Sequence, residues 1–223
     1  MTCVGIIGGL GVDATIHYYE RITAACKARG VVPDLVFVHA DVERGQGFVR
    51  AGDLEGLAVY LAGFIERMAR AGAEVAVIPA VTPHVCIGQL EPLLPIPLIN
   101  IIDTLAAELR ARGTKRIALF GSVHTVQASL WGLLPDVDIV KPQPDEIAFI
   151  GQAYQRILDG RTEPTDADAL RRIASDLQHR DGVEIILLAG TDLAALLDET
   201  TAGFPCLDVA RPHMEAIVET LSS

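Results

Sequence analysis

Two turns carry the side chains best suited to chemistry. Pro79-Ala80-Val81-Thr82-Pro83-His84 places a hydroxyl and an imidazole close together, and Leu188-Ala189-Gly190-Thr191-Asp192-Leu193 places a hydroxyl beside a carboxylate. An imidazole gains and loses a proton near neutral pH, so His84 is a candidate acid–base group. It reads equally as a histidine that caps or supports its turn. Asp192 reads as a base or a ligand for a substrate amine, or else as a helix cap. Thr82 and Thr191 read as helix caps or as part of an anion site, since a helix start offers N–H groups to either partner.

The elements that must position these turns follow from the apolar pattern. Val4 to Ile7 is a short strand ending in Gly8-Gly9-Leu10-Gly11, and Asp13 or Thr15 is the expected cap of the helix through Tyr18, Ile22 and Cys26. Leu35 to Val38 is a second strand, and Leu54 to Ala71 is a helix stopped by Gly72. Val75 to Ile78 is a third strand, and Ile96 to Ile102 carries strand character into a helix ending near Gly113. Arg161 to Asp166 is the clearest loop, closing on a cap at Thr165 or Asp166. This alternation predicts parallel sheets covered by helices.

The pattern then restarts. Cys3-Val4-Gly5-Ile6-Ile7-Gly8 matches Arg116-Ile117-Ala118-Leu119-Phe120-Gly121 at an offset of 113, and Gly72-Ala73-Glu74-Val75-Ala76-Val77-Ile78 matches Gly182-Val183-Glu184-Ile185-Ile186-Leu187-Leu188 at 110. Agreement in order, spacing and the Gly-x-Glu lead predicts a duplicated α/β unit. We therefore expect two similar subdomains with parallel sheets, related by a pseudo-two-fold axis: residues 1–100 with 209–223, and residues 101–208. Ligands of open α/β sheets bind beyond the carboxyl ends of the strands. The strand ends at Gly8, Ala80, Gly121 and Gly190 are expected to face one shared cleft, with Ala80 and Gly190 opposed across it.

Composition narrows the function. Half of the 223 residues are hydrophobic, only 5% are aromatic, and the formal net charge is −11. An acidic surface repels nucleic acid and anionic membranes. No apolar run approaches the ~20 residues of a membrane span, and no basic leader precedes the first strand. Cys3, Cys26, Cys86 and Cys206 are far apart, without a paired motif, which fits reduced thiols in the cytoplasm and packing roles for all four. No metal-ligand spacing is present. Gly8-Gly9-Leu10-Gly11 does not have the spacing of a dinucleotide fingerprint.

Gly5-Ile6-Ile7-Gly8-Gly9-Leu10-Gly11 with Ala14-Thr15, Tyr18-Tyr19-x-Arg21-Ile22, Ala71-Gly72-Ala73 and Pro144-Asp145-Glu146 together resemble the aspartate/glutamate racemase family. Its relatives include hydantoin racemases, maleate isomerases and arylmalonate decarboxylases. The likeness spans nearly the whole chain. It implies cofactor-free chemistry on a small carboxylate, and a homodimer.

The family's two motifs read Pro-Cys-Asn-Thr-x-His and Gly-Cys-Thr-Glu. Laid on this chain, the resemblance puts the two thiols at Ala80 and Gly190 and retains Thr82, His84 and Thr191, with Asp192 for the glutamate. Racemisation needs a proton group on each face of the α-carbon, and neither alanine nor glycine has one. Two-thiol racemisation is therefore not expected. Re-purposed isomerase or lyase chemistry through His84 and Asp192 is the leading reading. An inactive carboxylate-binding or regulatory homologue, or a biosynthetic enzyme with a larger substrate, is the alternative. By the same resemblance Thr82 and Thr191 hold the carboxylate, with Gly9, Ser122 and Thr125 extending the cradle. The small residues at 80 and 190 are expected to leave room for a bulkier ligand. His124 is an additional cleft candidate, and His213 anchors the last helix or borders the cleft.

Overall fold

The continuous apolar runs become the inner strands of two parallel sheets. In the computed structural model, which describes residues 2–190, 193, 196–197 and 199–223, the chain divides into two units. One comprises Met1–Thr104 with Pro212–Ser223, the other Leu105–Arg211. The first contains β1 (Val4–Gly8), α1 (Val12–Ala28), β2 (Leu35–His39), α2 (Val42–Ala51), α3 (Leu54–Arg70), β3 (Val75–Val77), α4 (Ile87–Leu90) and β4 (Leu98–Ile99). After α5 (Ile101–Arg112), the second contains β5 (Arg116–Phe120), α6 (Val123–Gln127), β6 (Asp138–Val140), α7 (Pro144–Leu158), α8 (Asp166–Asp181), β7 (Ile185–Leu188) and β8 (Cys206–Asp208). The last helix is α9 (Ala210–Ser222).

The sheets have the same topology. Their strand orders are β2-β1-β3-β4 and β6-β5-β7-β8, with every neighbouring pair parallel. β1, β3 and β7 are buried throughout and β5 is buried from Ile117 onward. Helices covering both faces of a sheet force the inner strands to be apolar on both sides, which is why these segments read as unbroken runs.

The repeated Gly-x-Glu lead has a structural cause. Gly72 and Gly182 follow α3 and α8 at φ +99° and +67°, the left-handed conformation that ends a helix cheaply only at glycine. Two residues on, Glu74 N–H donates to Cys3 O at 2.8 Å and Glu184 N–H to Arg116 O at 2.9 Å, which starts each inner pairing. Each glutamate then accepts a backbone N–H at the foot of the inner strand: Cys3 N to Glu74 Oε1, and Lys115 N to Glu184 Oε2, both 3.2 Å. The offsets of 113 and 110 thus mark one repeated strand-pairing device.

Several local expectations are corrected. Gly11, in extended conformation, caps α1 without any side-chain bond. Thr15 instead lies inside the first turn, where its Oγ1 accepts from Gly9 N at 3.1 Å and donates to Gly11 O at 2.8 Å. The apolar pattern gives no element between Val38 and Leu54. There Asp41 caps α2 by accepting from Glu43 N and Arg44 N, and Gly52 ends it at φ +68°. The strand expected over Ile96–Ile102 shrinks to β4, because Asn100 Oδ1 accepts from Ile102 N at 2.8 Å and starts α5. Thr165 takes the cap position of α8 without a side-chain bond, while Asp166 accepts from Glu163 N.

Gly9 is the turn residue with the least freedom. Its φ is +86°, and a Cβ there would stand 2.4 Å from Ala40 O. We expect Gly9→Ala to cost about 2–4 kcal/mol, combining left-handed strain with a clash against backbone. Urea denaturation of the two proteins checks this; an unchanged midpoint would show that the loop re-routes freely.

Candidate active site

The turn after β3 is built around its histidine. Ala80 N–H donates to Ile78 O at 2.8 Å, reversing the chain, and a 3-10 turn, Thr82–Cys86, follows. His84 is fully buried, and its Nδ1 lies 2.9 Å from Ala80 O. A carbonyl only accepts, so Nδ1 carries the hydrogen and Nε2 presents its lone pair. That Nε2 is the one buried side-chain nitrogen or oxygen without a hydrogen-bond partner among the described residues. Burial pushes the imidazole down to about 4, with the Ala80 and Val81 carbonyls opposing only in part. At neutral pH His84 is therefore an uncharged ring with an unused basic nitrogen.

His213 has the opposite tautomer. Its Nε2 donates to Ile99 O at 2.9 Å, so Nδ1 accepts from the Tyr18 hydroxyl, also at 2.9 Å. It is fully buried and anchors α9 within the first unit. Burial, and secondarily the neighbouring His84, press it down to about 3. The other first-unit candidates differ in how their polar groups are engaged. Thr82 is half-buried, and the Gly9 N–H is already taken by Thr15.

In the second unit, Ser122 caps α6. Its Oγ accepts from Thr125 N at 3.2 Å and lies 2.9 Å from Thr125 Oγ1. Ser122 is thus the helix cap, and the Thr125 hydroxyl pairs with it. Thr125 is buried, Ser122 half-buried and His124 exposed. Ala189 N–H donates to Phe120 O at 2.7 Å, so the turn after β5 and the turn after β7 are neighbours at the carboxyl end of the sheet. Thr191 and Asp192 lie outside the described residues. Pro144-Asp145-Glu146 is a helix start: Glu146 closes a capping box with Gln143 and binds Arg180 through both oxygens, which holds its carboxyl below the usual range.

The cysteines are packing residues. All four are buried and none is disulfide-bonded; burial raises the Cys3 and Cys26 thiols and pushes Cys86 up to about 11. Among the described residues no group of three His, Cys, Asp or Glu is placed to hold a metal ion, and no helix is long and apolar enough to cross a membrane.

The room expected beside Gly190 is not vacant. A Cβ at that position would stand 2.4 Å from Cε2, 2.8 Å from Cζ and 3.0 Å from the hydroxyl oxygen of Tyr154, which reaches over from α7. Sequence reasoning missed this residue. Helical periodicity places Tyr154 on α7 but carries no information about what its ring covers.

Known proteins share this fold. The sequence model of the Asp/Glu/Hydantoin racemase family matches residues 7–217. The broad specificity amino-acid racemase RacX of Bacillus subtilis is 21% identical, with 97% of each chain covered. An aspartate racemase homologue from Pyrococcus horikoshii superposes with a TM-score of 0.85 at 23% identity, covering 100% of both chains. The aspartate racemase of Picrophilus torridus gives 0.76 at 19% identity, covering 99% of this chain and 94% of its own.

Proposed function

Since the chain belongs to the Asp/Glu/hydantoin racemase family, we propose that it is a cofactor-independent isomerase or lyase acting on a small amino or dicarboxylic acid. Its chemistry moves a proton without a pair of thiols, because the thiol positions implied by the family motifs correspond to Ala80 and Gly190. The observation that carries this reading is the bare Nε2 of His84. A buried polar atom without a partner costs about 1–3 kcal/mol, so its retention in a strand-end turn argues for use. We assign His84 as the proton acceptor of that turn. Full burial means that a substrate carbon reaches Nε2 only when the turn moves.

In the first unit Thr82 is assigned to a carboxylate; in the second, Ser122 and Thr125 are, with Thr191 and Asp192 assigned to the same role and to a substrate amine or proton. A one-sided reaction, such as elimination, decarboxylation or double-bond isomerisation, asks fewer proton groups of the protein than racemisation does. The reading extends to a homodimer in the cytoplasm, and a sedimentation mass of twice the chain mass checks the dimer. A carboxylate-binding protein without turnover is the second reading, favoured by the lack of a titratable atom at residues 80 and 190.

The test uses L- and D-aspartate and L- and D-glutamate in D₂O. The native protein is expected to place deuterium at Cα of at least one of them, and His84→Gln to lower that rate about 10²–10⁴-fold. Stabilisation by one of these acids in a thermal shift, with no exchange and no product, selects the second reading. Neither binding nor exchange overturns both.

A further inference from the structure

Gly190 has no backbone reason to be glycine. Unlike Gly9, Gly72 and Gly182, it does not have a positive φ. What excludes a side chain there is Tyr154, whose ring edge and hydroxyl occupy the volume a Cβ would need. Gly190 is buried and Tyr154 half-buried, so the glycine is the seat of the tyrosine ring. The seat directly follows the carboxyl end of β7, and the Ser122–Thr125 hydroxyl pair follows the adjacent strand β5. The hydroxyl oxygen is among the three atoms nearest the missing side chain, at 3.0 Å.

We propose that Tyr154 is the proton-carrying group of the turn after β7, its phenol standing where the side chain of residue 190 would otherwise stand. This rests on the reading of the protein as one that acts on small carboxylic acids. In the donating direction the phenol O–H bond breaks and the proton forms a C–H bond at the carbanionic carbon beside the substrate carboxylate. The electron pair stays on the phenolate oxygen. Solvent water returns a proton to the phenolate before the next turnover, and the buffer neutralises the hydroxide left behind. Run backwards, the phenolate takes the same proton from carbon. The group of substrates is therefore acids whose α-carbon bears negative charge during the reaction, whether by loss of a proton or of carbon dioxide.

The experiment compares the native protein with Tyr154→Phe and Gly190→Ala. Deuterium incorporation into L- and D-aspartate and L- and D-glutamate reads the proton step, and calorimetric titration with the same acids reads binding. Tyr154→Phe keeps the ring and is expected to keep affinity within about threefold while lowering exchange at least 100-fold. Gly190→Ala keeps the phenol but evicts it from its seat, and should lower exchange comparably; it also serves if Tyr154→Phe fails to fold. Exchange at the native rate in Tyr154→Phe overturns the proposal and leaves the functional reading intact. Binding without exchange in the native protein overturns the proton role. Neither binding nor exchange in the native protein removes the functional reading, and this proposal with it.

Discussion

Lowering the pH from 6.5 to 4.5 is expected to remove about 5 kcal/mol of folding stability, through His84 and His213 alone. Both rings are fully buried and neutral in the folded protein. An unfolded chain binds a proton on each at a pKa near 6.5, whereas the folded protein resists to about 4 at His84 and about 3 at His213. Well above pH 6.5 neither state is protonated, and these groups give no pH dependence. Below it the unfolded state holds the extra protons. Stability then falls by about 1.4 kcal/mol per pH unit for each ring until the folded pKa is reached. The carboxyls of Glu108, Glu146 and Asp166 are held low chiefly by hydrogen bonds from arginines, so they add a loss of the same sign at still lower pH. Urea midpoints measured from pH 7.5 to 4.5 should be level and then decline. His84→Gln should remove about half of the slope between 6.5 and 4.5. A flat profile down to pH 5 would mean that both rings are hydrated or charged in solution.

The same two histidines show what a sequence does and does not disclose. His84 is legible as a titratable group in a strand-end turn, because its position depends only on the apolar run before it. Its burial is not, since exposure is set by what packs over the 3-10 turn. Its tautomer is fixed by the Ala80 carbonyl, four residues earlier in the chain but brought back over the ring by the reversal at Ala80. The duplication is legible for a different reason. Inner strands covered on both faces are apolar throughout, and β3 and β7 are each started by a helix-ending glycine and a pairing glutamate, so pattern and structure coincide at Gly72–Ile78 and Gly182–Leu188. By contrast, α2 carries Gly45 and Gly47 inside it and shows little helical propensity; its caps at Asp41 and Gly52 do the defining. The Tyr154–Gly190 pair is the least legible feature. Two residues separated by helix α8 and strand β7 meet only once the second unit is folded, and glycine reads as room until its neighbour is known.

Replacing Asp166 with alanine is expected to cost about 3 kcal/mol, and the cause bears on that pair. The Asp166 side chain is 1% exposed, yet its pKa is held low because Arg156 binds it through Nε at 3.0 Å and through Nη2, and Glu163 N–H donates to it at 2.9 Å. Alanine would leave the Arg156 guanidinium, itself only 24% exposed, without its principal partner, and the Glu163 amide without an acceptor. Asparagine restores one acceptor but not the charge, so Asp166→Asn should cost about half as much. A cycle with Arg156→Ala separates the pair from its parts: a coupling above about 1 kcal/mol is expected, and additive losses would mean that the contact contributes nothing in water. Arg156 lies two residues beyond Tyr154 on α7 and also sits over the Phe149 ring, 5.7 Å from its centroid. The Arg156–Asp166 bridge thus ties the C-terminal half of α7 to the start of α8, the half that presents the phenol to Gly190. Amide hydrogen exchange in Asp166→Ala should therefore quicken over residues 150–158 before it quickens in β5 or β7. Uniform acceleration across the unit would show instead that α7 has no local freedom and that its tyrosine is positioned by the sheet as a whole.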